Sequence, residues 1–145
     1  MKILIIEDDP AMRGALFQMI NNIGKHDISL ISDGHNAVSL LADPAHNFDL
    51  VFIDLRMPRL TGDKVIEIIQ DISQVHFVAL TAHLSDFPKL PKHIRVIEKP
   101  FDYETIEEAI REREQTLQSQ SKALPNHPPS MLKSPSSANR QPPAP

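Results

Sequence analysis

The chain of 145 residues contains no cysteine and no tryptophan, and it has only one tyrosine and four glycines. Without cysteine, disulfide frameworks, thiolate zinc sites and cysteine nucleophiles are excluded. The apolar run at residues 3–6 is shorter than the roughly 7–15 residues of a secretory signal core and the roughly 20 of a membrane span. These absences predict a soluble, cytoplasmic protein with an aliphatic core.

Acidic residues outnumber basic ones, with 19 Asp and Glu against 15 Lys and Arg. Three of the cations, Lys122, Lys133 and Arg140, lie in residues 119–145, which contain no acid, so the formal charge of −4 for the chain becomes −7 for residues 1–118. Neutralising nucleic-acid phosphates requires clustered Lys and Arg. The sequence therefore argues against direct nucleic-acid binding.

Residues 119–145 differ in composition from the rest, with seven Pro, six Ser and almost no apolar periodicity. A segment of this kind cannot bury enough apolar surface to fold. We predict one domain over residues 1–118 and a disordered Pro/Ser-rich tail over residues 119–145. The tail suits a tether and also a polyproline-type docking segment, and the sequence does not separate the two.

Short apolar runs alternate with segments of helical spacing. The runs, which suit buried strands, are residues 3–6, 28–31, 50–53, 77–80 and 94–97. The alternation predicts βαβ units, a parallel sheet of about five strands and helices on both faces of that sheet. The segment before the last run contains Pro88 and Pro91, so we expect a short or irregular helix there.

Charged and polar residues stand where these runs end, namely Glu7, Asp8, Asp54, Thr81 and Lys99. In a parallel α/β sheet, ligands bind beyond the carboxyl ends of the strands, so we expect these side chains to converge. Crowded carboxylates repel one another unless a hard cation such as Mg²⁺ shares them. The pattern predicts a divalent metal site with room for a phosphoryl group.

Asp54 is the candidate nucleophile of this predicted site. A carboxylate can attack phosphorus and form an acyl phosphate, provided that a metal and a cation neutralise the charge on the equatorial oxygens. Lys99 and Thr81 suit contacts with those oxygens. We interpret Asp54 as a carboxylate that accepts a phosphoryl group.

Over about residues 1–115 the chain resembles the receiver domain of two-component response regulators, in its single-domain, CheY-like form. Four motifs in family order carry the resemblance: residues 3–10 (ILIIEDDP), 54–62 (DLRMPRLTG), 80–82 (LTA) and 99–101 (KPF). The resemblance implies the flavodoxin-like receiver fold, a five-stranded parallel sheet of order 2-1-3-4-5 flanked by five helices. This fold agrees with the α/β alternation.

The resemblance also implies a role for each residue around the phosphoryl group. Asp54 is implied as the phosphoacceptor, which would carry 4-aspartylphosphate. Thr81 is implied as the switch hydroxyl that reorients toward the phosphoryl group, and Lys99 as the lysine that pairs with it. Pro100 is implied to follow a cis peptide bond.

The metal ligands implied by the resemblance are those of a Mg²⁺ site. Asp8 and Asp54 would bind the metal directly, and Glu7 would meet it mostly through water. The backbone carbonyl of Arg56 would complete the protein ligands. Mg²⁺ is therefore the expected cofactor.

Three features depart from the family pattern. Val96 stands where the family often has an aromatic residue that moves with the switch hydroxyl. Pro88 and Pro91 disrupt the usual fourth helix, which alters a common partner surface. Arg56 and His83 lie two residues beyond Asp54 and Thr81, where we hypothesise that they shield the acyl phosphate from water.

The expected function is that of a response regulator in a two-component phosphorelay. A sensor histidine kinase or a histidine phosphotransfer protein would donate phosphate to Asp54, and the only catalysis expected is Mg²⁺-dependent self-phosphorylation and self-dephosphorylation. Residues 119–145 are too few for a DNA-binding output module, so signalling would proceed through protein contacts. The alternative is a phosphorylation-independent interaction module that keeps the receiver fold.

Two enzyme classes are disfavoured by particular positions. An aspartate-nucleophile phosphatase usually needs a second acid two residues after the nucleophile, and Arg56 occupies that position. A nucleotide-binding Rossmann fold is disfavoured because the chain has no Gly-x-Gly-x-x-Gly.

Overall fold

Five parallel strands and four α-helices make up residues 1–123, which the computed structural model describes. The strands are β1 (Lys2–Ile6), β2 (Asp27–Ile31), β3 (Leu50–Asp54), β4 (Phe77–Thr81) and β5 (Arg95–Glu98). The helices are α1 (Pro10–Ile23), α2 (Gly34–Ala42), α3 (Gly62–Gln70) and α4 (Tyr103–Ala123). The strands pair in the order β2-β1-β3-β4-β5, which confirms the predicted order.

The central strands are apolar along their length because both faces of the sheet are covered. In β1, Leu4 and Ile6 belong to a core with α2 and α3, whereas Ile3 and Ile5 belong to a core with α1 and α4. All four side chains are fully buried. Burying one aliphatic side chain of this size contributes about 1.5–3 kcal/mol, which explains why unbroken apolar runs mark these strands.

Aspartates cap three of the helices. The carboxylates of Asp9, Asp33 and Asp102 each accept a hydrogen bond from the backbone amide three residues further on, at 3.3, 2.8 and 2.9 Å. Such caps satisfy amides that have no partner within the helix. They place the starts of α1, α2 and α4 directly after a strand or a short loop.

The segment between β4 and β5 has no α-helix. It contains a 3-10 turn at Leu84–Asp86, after which Phe87 and Leu90 pack partly buried against the core. The resemblance implied a fifth helix in the family fold, but Pro88 and Pro91 remove two backbone donors and restrict the residues before them. The expectation of a short or irregular helix here is confirmed.

Helix α4 extends beyond the predicted domain boundary. It continues to Ala123, so residues 119–123, which the composition assigned to the tail, are helical. The rest of the predicted tail lies outside the described residues. The chain divides after Arg113, and the last turns of α4 belong to a separate unit. Each helix within residues 1–123 is too short or too polar to cross a membrane.

Gly62, the first residue of α3, lies against the end of β3. A Cβ at this position would overlap the carbonyl oxygen of Asp54 and would lie 2.8 Å from the Cα of Leu55. The amide of Gly62 also donates a hydrogen bond to the carbonyl of Leu55 at 2.8 Å. The loop that follows Asp54 therefore returns to the strand at a distance that only glycine permits.

Replacing Gly62 by alanine should destabilise the protein by about 1–3 kcal/mol, because backbone atoms would have to move. The matched control is Gly14→Ala in α1, where a Cβ would meet nothing within 4 Å. Alanine there should stabilise the helix by about 0.5–1 kcal/mol. Urea unfolding measures both changes. A Gly62→Ala protein as stable as wild type would contradict this account of the loop.

Candidate functional site

The side chains of three strand ends meet at the carboxyl edge of the sheet. The ammonium Nζ of Lys99, after β5, lies 3.1 Å from Oε1 of Glu7, after β1, and 3.3 Å from Oδ1 of Asp54, at the end of β3. Glu7 and Asp54 are buried, with 1% and 5% of their surface exposed. The predicted convergence of these three residues is confirmed.

Three carboxylates crowd this edge. Glu7, Asp8 and Asp54 each offer an oxygen such that the three atoms lie within 4.8 Å of one another. Burial raises the pKa of Glu7, the neighbouring Asp54 adds to the increase, and Lys99 opposes it. Burial also raises the pKa of Asp8, and Glu7 adds to the increase. A hard divalent cation suits this donor set, because it takes oxygen ligands and removes the repulsion.

Lys99 keeps its positive charge in this setting. Burial lowers the pKa of Lys99, but the attraction of Asp54 and Glu7 outweighs burial, so the pKa of Lys99 is raised. The same ammonium is shared by two carboxylates. The site therefore holds a fixed cation and still has an excess of negative charge.

Arg13 of α1 fixes the turn that carries the first two acids. Its guanidinium donates to the carbonyl oxygen of Glu7 at 2.9 Å and to that of Asp8 at 3.4 Å. The amide of Asp9 donates to the Glu7 carboxylate at 3.3 Å. Arg13 is not among the residues predicted from the sequence, although its position one turn after the capping Asp9 indicates that it can reach back over the helix start.

The loop after β3 orients the carboxylate of Asp54. The amide of Arg56 donates to Oδ1 of Asp54 at 3.2 Å. Arg59, further along the loop, has a φ of 68°, in the left-handed region. The role of the Arg56 carbonyl as a metal ligand stays a prediction.

Thr81 ends β4 beside the cluster and is buried, with 1% of its surface exposed. Its hydroxyl oxygen accepts a hydrogen bond from the amide of His83 at 3.1 Å, and its carbonyl accepts one from the amide of Lys99 at 2.8 Å. The peptide bond between Lys99 and Pro100 is cis, as predicted. Thr81 is thus hydrogen-bonded both to Lys99 and to the segment that follows β4.

A pocket of about 600 Å³ opens above Asp54. Its lining residues are Asp54, Arg56, Ala82, His83, Asp86 and Lys99. The guanidinium of Arg56 forms an ion pair with the carboxylate of Asp86, which joins the loop after β3 to the 3-10 turn. Asp86 is not among the residues predicted from the sequence, because nothing in its local pattern shows where the irregular segment runs.

Residues 3–111 match the response regulator receiver domain family. The chain belongs to this family. The receiver domain accounts for the four motifs, the sheet order and the acid, hydroxyl and lysine positions together.

Curated relatives of the receiver domain include two regulatory proteins. A probable transcriptional regulator, ycf27, from Porphyridium aerugineum is 34% identical over 115 residues, which are 76% of this chain and 46% of that protein. The sensory transduction protein LytR from Staphylococcus haemolyticus is 31% identical over 114 residues, which are 76% of this chain and 44% of that protein. The chain thus spans less than half the length of these relatives.

Among solved structures, the receiver domain of the sensor histidine kinase PA1611 from Pseudomonas aeruginosa PAO1 has a similar fold. It superimposes with a TM-score of 0.68 at 23% identity, over 77% of this chain and 94% of that one. That structure has a magnesium ion coordinated in its active site cleft. At this identity the likeness shows the fold of the receiver domain.

Removing one carboxylate of the cluster should stabilise the protein when no divalent metal is present. We expect Asp8→Asn, measured by urea unfolding at neutral pH in a chelator, to gain about 0.5–1 kcal/mol, the size that partly exposed charge pairs contribute. The control is Asp9→Asn, which keeps a capping oxygen and should change stability by less than about 0.5 kcal/mol. A loss of stability in Asp8→Asn would show that the carboxylates do not repel one another.

Proposed function

We propose that the chain accepts a phosphoryl group on Asp54 and signals through protein contacts. The donor would be a sensor histidine kinase or a histidine phosphotransfer protein, and the reaction would take place in the cytoplasm and depend on Mg²⁺. The observation that carries the proposal is the buried Asp54 carboxylate, which lines the pocket and lies 3.3 Å from the Lys99 ammonium.

The chemistry follows from the groups around Asp54. One carboxylate oxygen forms a bond to phosphorus while the bond from phosphorus to the donor breaks, and the donor leaves with that electron pair. Lys99 faces the incoming equatorial oxygens as a fixed positive charge, and the hydroxyl of Thr81 can donate to one of them while it accepts from His83. Positioned charges of this kind supply most of the catalysis in phosphoryl transfer.

Glu7, Asp8 and Asp54 would hold Mg²⁺, with the carbonyl of Arg56 as a further ligand. When bound, the metal supplies positive charge that offsets the carboxylates and the transferred phosphoryl oxygens. This donor set fits Mg²⁺, because the carboxylate oxygens converge and the positive charge beside them does not balance their negative charge. With Mg²⁺ in this cluster, the reactions proposed for the site are self-phosphorylation and self-dephosphorylation on Asp54.

One observation favours a second candidate, a phosphorylation-independent interaction module. Val96, in the position where an aromatic residue would report the state of the site, is only partly buried against the core. The module would then use its surface without any change at Asp54. The complete set of acids, hydroxyl and lysine favours the phosphoacceptor.

Incubation with Mg²⁺ and acetyl phosphate should add one phosphoryl mass to the wild-type chain. Intact mass measurement should show no gain in Asp54→Ala, because the attacking oxygen is missing, and no gain in wild type with a metal chelator. Asp9→Asn serves as the control acid and should be phosphorylated like wild type. A wild-type chain that gains no mass would favour the interaction module.

A further inference from the structure

The segment between β4 and β5 is tied to the site by two polar contacts. At its start, the amide of His83 donates to the hydroxyl oxygen of Thr81 at 3.1 Å. At the end of the 3-10 turn, Asp86 pairs with Arg56. The other hydrogen bonds of the 3-10 turn, Asp86 to His83 and Phe87 to Leu84, are local to the segment. The Arg56–Asp86 pair is thus a side-chain link between this segment and the loop that follows Asp54.

This ion pair is exposed enough to exchange partners. The side chains of Arg56 and Asp86 are 63% and 47% exposed, and both line the pocket above Asp54. Exposed pairs contribute little to stability, because water screens the charges and two flexible side chains must be held still. Another anion in the pocket can therefore compete for the guanidinium.

A phosphoryl group on Asp54 would be a strong competitor. It carries up to about two negative charges and three acceptor oxygens, and guanidinium groups bind such oxygens well. Among the residues that line the pocket, the fixed cations are Lys99 and Arg56, and Lys99 is already shared with Glu7. The new charge would also repel Asp86, which lines the same pocket.

We propose that phosphorylation of Asp54 moves Arg56 from Asp86 to the phosphoryl oxygens, and that the loss of this contact releases the segment from His83 to Asp86. The proposal rests on the proposed function and adds the way in which phosphorylation of Asp54 would change the surface that a partner contacts. In a chain with valine at position 96, the exchange of an ion pair carries the change at Asp54 to the surface, where Leu84 is 39% exposed.

A double-mutant cycle in the full chain tests the exchange. Asp86→Asn should lower the acetyl phosphate concentration for half-maximal phosphorylation in Mg²⁺ by about two- to fivefold, because Arg56 becomes available, and Arg56→Gln should raise it by a similar factor. In the Arg56→Gln background, Asp86→Asn should have less than half of its effect. An equal factor in both backgrounds would mean that Asp86 acts only through its charge, which would overturn the proposal.

The control variant is Glu67→Gln, which breaks another exposed ion pair, that with Lys64 on α3, and makes the same change of charge. It should leave the half-maximal concentration unchanged. A shift as large as that of Asp86→Asn would show that net charge alone decides the result, and would also overturn the proposal.

Hydrogen exchange of a peptide that covers residues 82–87 tests the release. Exchange should increase several-fold when the wild type is phosphorylated, and it should already be increased in unphosphorylated Asp86→Asn. The phosphorylated fraction is read from the intact mass of the same sample. Unchanged exchange in phosphorylated wild type would overturn the release and leave the proposed function intact, whereas a sample that gains no phosphoryl mass would contradict both.

Discussion

The ammonium of Lys99, held between the carboxylates of Glu7 and Asp54, is the interaction on which the site depends. It links the ends of β5, β1 and β3, although β4 lies between β3 and β5 in the sheet. Buried carboxylates need a positive partner, because removing ions from water without one is costly. Lys99 meets that need for two of the three acids and keeps Asp54 close to a cation.

Burial and neighbouring charges have opposite effects on the pKa values of Lys99 and Glu7, and their sum determines the charge of the site. For Lys99, the attraction of the acids outweighs burial, so the cation persists. For Glu7, burial and Asp54 outweigh the attraction of Lys99, so the pKa of this acid remains raised. One ammonium is thus insufficient for three carboxylates, and the remaining imbalance is what a divalent cation would offset. The Arg56–Asp86 ion pair is exposed and is not part of this buried charge cluster. Arg56 can therefore exchange Asp86 for another anion without loss of the fold.

The sequence predicts where Glu7, Asp54, Thr81 and Lys99 lie, because each stands at the end of a buried apolar run and parallel strands bring their carboxyl ends to one edge. Their roles stay predictions. Asp86 could not be predicted in the same way. The prolines of its segment indicate that a helix fails, but not the path that the chain then takes. The predicted tail begins too early, at residue 119, because its composition is dominated by prolines that start only at Pro125. The intervening residues allow the helix to continue.

The most direct test of the central interaction is a double-mutant cycle of Lys99→Met and Asp54→Asn, measured by urea unfolding at neutral pH in a chelator. Lys99→Met alone should destabilise the chain by about 2–4 kcal/mol, because two buried carboxylates lose their cation. In the Asp54→Asn background, Lys99→Met should lower the free energy of unfolding by a smaller amount, with a coupling energy of at least about 1 kcal/mol. If the changes in unfolding free energy of the two single variants add up to that of the double variant within about 0.3 kcal/mol, the account is contradicted, because Lys99 would then not stabilise Asp54.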